Sequence, residues 1–137
     1  MHWVRDNQSE RVAFTLVELM IVVVMVAIFA LVAVANYQSN VKASKMTEGV
    51  TGAGMIRTAM RVYSAAHDGQ YPTLNNVDGS ALEIISVRAE DLTGKYFGPS
   101  DYRVTSSASG YTIRVTMPGD PDCWYEVDEE GNVSENY

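Results

Sequence analysis

From Phe14 to Ala35 the chain is apolar for 22 residues except at Thr15 and Glu18. As a helix this run is about 33 Å long at ~1.5 Å per residue, which matches a hydrocarbon layer of ~30 Å. Glu18 is the anomaly, because a carboxylate in hydrocarbon costs roughly 2.5 to 3.5 kcal/mol on insertion scales. Either it reaches headgroup water one turn into the helix, or it has a partner.

Past Asn36 the pattern turns amphipathic. Met46, Gly49, Ala53, Ile56, Met60 and Tyr63 recur at spacings of 3, 4, 3, 4 and 3, one face of a helix. Arg57 and Arg61 fall off that stripe. The glycines of "EGVTGAG" cost about 1 kcal/mol each against alanine in a helix interior, so this part should need a sheet packed over it. "HDGQYP" supplies a stop, with Gly69 as cap and Pro72 unable to continue. The predicted rod from Phe14 is about 80 Å long.

Beyond a loop rich in Asn, Asp and Gly, Leu82 to Val87 reads as a strand, and "AEDLTGKYF" as a helical turn closed by Gly94. In "DYRVTSSASGYTIRVTM", Tyr102 and Val104, then Tyr111, Ile113 and Val115, alternate around "SASG" as a β-hairpin does. A second hairpin is expected in "CWYEVDEEGNVSENY", with Cys123, Tyr125 and Val127 facing one way and a turn at Glu129 to Asn132. The expected fold is α+β: a long N-terminal helix packed along its second half by about four antiparallel strands.

Composition narrows the function classes. A net charge of −7 and a pI near 4.7 disfavour nucleic acid, because no Lys/Arg cluster could release phosphate counterions. The acidity concentrates after Met117, where Asp120, Asp122, Glu126, Asp128, Glu129, Glu130 and Glu135 have no base among them. Cys123 is the lone cysteine, so no intrachain disulfide forms, and a buried or merely unpaired thiol is expected. A secretory signal would have a shorter apolar region, and Arg5 and Arg11 before the segment balance Lys42 and Lys45 after it.

Arg11, the small Ala13, then "FTLVELM" with Glu18 four residues after Phe14, then an aliphatic helix, resemble the processing motif of type IV pilins and type II secretion pseudopilins. The resemblance implies a leader over residues 1–13, cleavage between Ala13 and Phe14 by a prepilin peptidase on the cytoplasmic side, and N-methylation of Phe14 by the same enzyme. Residues 14–36 would be the transmembrane and filament-core helix, and 37–137 its continuation with the globular head. It also implies a partner for Glu18, the Phe14 amine of an adjacent subunit. Further implied partners are identical or homologous pilin subunits, an inner-membrane assembly platform and membrane lipid. The protein would sit in the inner membrane with a periplasmic head, and after assembly in a pilus or periplasmic pseudopilus. Three positions depart from the pattern: Ala13 stands where the family usually has Gly, and Ala27 and Ala35 replace its mid-helix Gly and Pro. A continuous helix is therefore expected. "MRVYSAAHDGQYPTL" is similar to the helix end and first loop of major pseudopilins and short pilins.

Enzymatic chemistry is poorly supported. His2 lies in the implied leader, His67 suits a helix end, and "GVTGAG" lacks the preceding strand and the Lys of a phosphate loop. Asp120, Asp122 and Asp128 are calcium candidates, since major pseudopilins have a loop site of this kind, although their spacing matches no EF-hand. No other cofactor is expected. The reading is a structural filament subunit and not an enzyme. A type II secretion pseudopilin is the alternative, and a membrane-anchored binding domain with an uncleaved signal anchor is the alternative of another class.

Overall fold

The computed structural model describes residues 14–137. The leader assigned to residues 1–13, Ala13 included, lies outside them. A single helix, α1 (Leu16–Ala66), is unbroken through Ala27 and Ala35, as expected for a segment without Pro or mid-helix Gly. It ends as "HDGQ" predicts: Gly69, at φ +82°, donates its N–H to the Ser64 carbonyl at 2.9 Å, a left-handed cap that a side chain would strain.

The chain divides into an N-terminal segment to Tyr37 and a compact head, Gln38–Tyr137. In the head, β1 (Leu74–Asp78), β2 (Tyr102–Ser107), β3 (Gly110–Met117), β4 (Asp120–Asp128) and β5 (Val133–Asn136) form an antiparallel meander in sequence order. Both expected hairpins are present. Val104 pairs with Ile113 across the first, and Val127 with Val133 across the second. The sheet has five strands instead of about four. The extra one, "LNNVD", is poor in β-formers and has Asn76 at φ +51°, so only its pairing with β2 makes it a strand.

A second correction concerns Leu82 to Val87, which is no strand. Glu83–Ile85 is a turn of 3-10 helix, closed by Ile85 N–H on the Leu82 carbonyl at 3.1 Å, with Ser86 left-handed at φ +61°. The three-residue repeat sends Leu82 and Ile85 inward together and leaves Ile84 out, which alternation cannot do. "AEDL" is likewise a 3-10 turn, Ala89–Leu92.

The stripe read from the sequence is the helix's core face. Met46, Ala53, Ile56 and Met60 have no accessible surface, and they pack with Tyr102, Val104, Ile113, Val115 and Val127 of the sheet and with Leu82, Leu92 and Phe97 of the intervening loop. Gly49 and Gly52 permit the close approach. A Cβ on Gly49 would stand 2.9 Å from Val115 Cγ1, and one on Gly52 would strike the buried Tyr102 ring. Glu48 then ties the loop to the helix, its Oε1 accepting the N–H of Tyr96 at 2.8 Å and of Phe97 at 2.9 Å.

Candidate assembly surface

The start of α1 answers in part what Glu18 is bonded to. Thr15 N–H and Thr15 Oγ1 both donate to Glu18 Oε2, at 2.9 and 2.8 Å, and Glu18 N–H donates back to Thr15 Oγ1 at 3.2 Å. This reciprocal arrangement is a capping box, and its signal, Thr-x-x-Glu before an apolar run, stands in "TLVE". The sequence reading weighed Glu18 only as a charge in hydrocarbon and missed it. Both bonds fall on Oε2, so the box leaves Oε1 for another donor. A carboxylate in a first helical turn also gains from the positive end of the helix dipole.

Following this cap, the N-terminal segment is bare. Its large apolar residues range from 47% exposed at Val22 to 78% at Leu31, and Phe14 is 69% exposed. A helix apolar all round is stable against water only when lipid or other helices surround it. By length and composition α1 can cross a membrane, with a mean hydropathy of 3.0 over its most apolar window.

The acidic C-terminal candidates do not come together. Asp120 opens β4 and Asp128 closes it, so the length of a nine-residue strand separates them. Asp120 Oδ2 is ion-paired with Lys42 Nζ at 2.6 Å, and that bond holds the carboxyl below its usual range and the ammonium above its own. Asp128 organises the β4–β5 turn: it accepts Gly131 N–H and Asn132 N–H, each at 2.8 Å, and its carboxyl is lowered chiefly by the Asn132 side chain. Asp122 lies between them on the strand. Among the described residues no three His, Cys, Asp or Glu side chains converge on a common point for a metal ion. The calcium grouping of Asp120, Asp122 and Asp128 is thus not assembled, because each end of β4 uses its carboxylate for the fold.

Two other residues stand as expected. Cys123 is buried in β4, and burial raises its thiol above the usual range, which keeps it protonated and inert. His67, just past the helix end, stacks on Tyr63 with ring centroids 3.8 Å apart, and its Nδ1 lies 2.8 Å from the Tyr63 carbonyl.

No profile of a known family matches the chain, and no solved structure does. Among curated proteins it is similar to a protein named "Fimbrial protein" from Neisseria meningitidis serogroup A, with 35% identity over 123 residues that make up 88% of this chain and 68% of the relative. That name supports a structural role in a pilus, and with the apolar helix it fits a membrane-anchored or pilus-associated protein. A bare apolar helix, continued into a head where an antiparallel sheet covers it, is what that relationship calls for, and the chain belongs to the type IV pilin family.

Proposed function

We propose that the chain is a structural subunit of a type IV pilus-like filament. Prepilin peptidase cuts it between Ala13 and Phe14 and methylates the new amine, and it assembles through residues 14–36. The observation that carries this reading is the uncovered apolar helix with one carboxylate at its start. Before the cut, the nitrogen of Phe14 is a neutral amide. Afterwards it is an ammonium, which can approach the remaining oxygen of Glu18 on a neighbouring subunit. An unpaired charge buried among apolar helices costs several kcal/mol, whereas a paired and hydrogen-bonded one approaches break-even, so cleavage licenses assembly and the pair sets its register.

N-terminal sequencing and intact mass of the protein from its native membrane test the reading. The expected species starts at Phe14 and carries one added methyl. An intact Ala13–Phe14 bond in cells that contain the peptidase overturns it in favour of the uncleaved anchor. Glu18→Val should insert and be processed, yet give at least about tenfold fewer filaments, because the neighbour's ammonium then has no counter-charge. Thr15→Val removes the intrachain donor hydroxyl and keeps the carboxylate, so its filament yield should stay near that of the unaltered chain. Equal losses in the two variants would make the capping box, and not intersubunit pairing, the role of Glu18.

The lone Cys123, which leaves no C-terminal disulfide, together with the "DGQYPT" stretch favours a second reading, a pseudopilin of a type II secretion system. Deleting the gene would then abolish secretion of folded exoproteins and leave surface fibres intact.

A further inference from the structure

The pattern Asn-x-Ser occurs twice in the chain, at Asn7-Gln8-Ser9 and at Asn132-Val133-Ser134. The first falls in the implied leader, outside the described residues. The second stands in the head, where the turn from β4 into β5 displays it: Asn132 is exposed, and so are all four residues of β5, Ser134 among them. With a middle residue other than proline, this is the acceptor pattern for a glycan on the asparagine amide, and it is usable only on a reachable surface turn. Three such residues also recur by chance, so the tertiary setting has to separate an acceptor from a coincidence.

Acids hold the Asn132 amide by its nitrogen. Nδ2 donates to Asp128 Oδ2 at 2.8 Å and to Glu130 Oε2 at 3.2 Å. Ionised carboxylates only accept, so the nitrogen and not the oxygen of the amide faces them. An amide nitrogen is a weak nucleophile because its lone pair is shared with the carbonyl. Hydrogen bonds to two anions return electron density to it and place a proton acceptor alongside.

The turn does not depend on that side chain. Asp128 Oδ1 already takes the backbone N–H groups of Gly131 and Asn132, and Gly131 supplies the left-handed step at φ +95°. Nor does the core depend on β5, which is the edge strand, paired with β4 alone. No residue past Val127 belongs to the buried cluster. An enzyme that requires its acceptor extended can therefore draw Gly131–Glu135 away from the sheet without opening the head.

We propose that Asn132 is an N-glycosylation site, and that its donor is a glycan joined through its anomeric carbon to a lipid pyrophosphate. In the transfer, Nδ2 attacks that carbon and an N–C bond forms. The C–O bond to the pyrophosphate breaks with both electrons leaving on oxygen, and one Nδ2 proton passes to a carboxylate. Nothing is oxidised or reduced. A sugar at this position also shields β5, whose free edge is otherwise open to pairing with another chain. The proposal rests on the filament reading at one point, that the head leaves the cytoplasm.

The test is mass spectrometry of a tryptic digest of the protein from its native host membrane. No Lys or Arg follows Arg114, so the site lies in one peptide, Val115–Tyr137. That peptide should be heavier by whole sugar residues, release sugar fragment ions and carry the added mass on Asn132. Asn132→Gln and Ser134→Ala should each abolish the increment, whereas Ser134→Thr, which keeps the acceptor pattern, should retain it. A bare peptide from the unaltered chain overturns the proposal. So does an increment that survives Asn132→Gln, since the sugar then sits on a hydroxyl such as Ser134 or Thr116. The N-terminal peptide of the same digest keeps the two readings apart. A chain that starts at Phe14 and has a bare C-terminal peptide counts against this proposal alone, and a glycosylated chain with an intact Ala13–Phe14 bond counts against the filament reading alone.

Discussion

Ile28 and Ile56 sit on one α-helix with the same backbone bonding, yet Ile28 is 57% exposed and Ile56 has no accessible surface. The difference separates what makes the helix from what holds it. Backbone hydrogen bonds are satisfied in both places, whereas apolar burial, about 1.5–3 kcal/mol for a fully covered aliphatic side chain, is realised among the described residues only in the head. In the N-terminal segment the equivalent side chains stay exposed. One element therefore serves as core in one half and as an unfilled interface in the other.

The sharpest way to break that comparison is to truncate both isoleucines. Ile56→Ala should cost the head about 2–5 kcal/mol, and Ile28→Ala should stay within about 0.5 kcal/mol, in urea titrations in detergent followed by Trp124 fluorescence. Equal losses would mean that the segment before Tyr37 contributes to head stability. Glycine substitutions refine the picture by face. Gly52→Ala should destabilise by about 1–3 kcal/mol, because its Cβ meets the buried Tyr102 ring. Gly54→Ala, two residues on and with open space around it, should stabilise by about 0.5–1 kcal/mol through helix propensity.

A smaller effect concerns acid. The N–H groups of Tyr96 and Phe97 hold the Glu48 carboxyl below its ordinary value of 4.5. A group whose pKa falls on folding stabilises the native state above its ordinary value, and that contribution fades as pH drops through the lowered one. Head stability should therefore decline on acidification over roughly pH 5 to 3. Glu48→Gln, which keeps an acceptor for the loop amides, should make the decline in Tm shallower. Asp78, Asp120 and Asp128 are lowered in the same direction, so part of the decline should persist. An unchanged slope would mean that Glu48 does not hold the loop in solution.

Periodic features were legible in advance. The stripe from Met46 to Met60 is the buried face, and Cys123, Tyr125 and Val127 lie on β4 with the turn after them in place. The capping box is equally legible in "TLVE", where the same Glu18 also stands out as a charge in an apolar run. β1 was not legible, since "LNNVD" has almost no strand signal until β2 lies beside it. Nor was the 3-10 turn at Glu83–Ile85, where apolar residues at 82, 84, 85 and 87 fit two periods equally well. Asp120, Asp122 and Asp128 do not converge, because closeness in sequence along an extended strand is distance in space: eight steps from Asp120 to Asp128 are about 26 Å at ~3.3 Å per residue.

By itself the sequence determined the helix, its cap, the apolar segment, the two C-terminal hairpins and the kinship with pilins, since each rests on a local period or a short motif. Tertiary structure decided which acids are committed to the fold, that β1 is a strand, and that Lys45 and Lys95 meet over Tyr96. These depend on residues far apart in the chain, whose juxtaposition follows from how the sheet packs on the helix and leaves no repeat for a linear reading to detect.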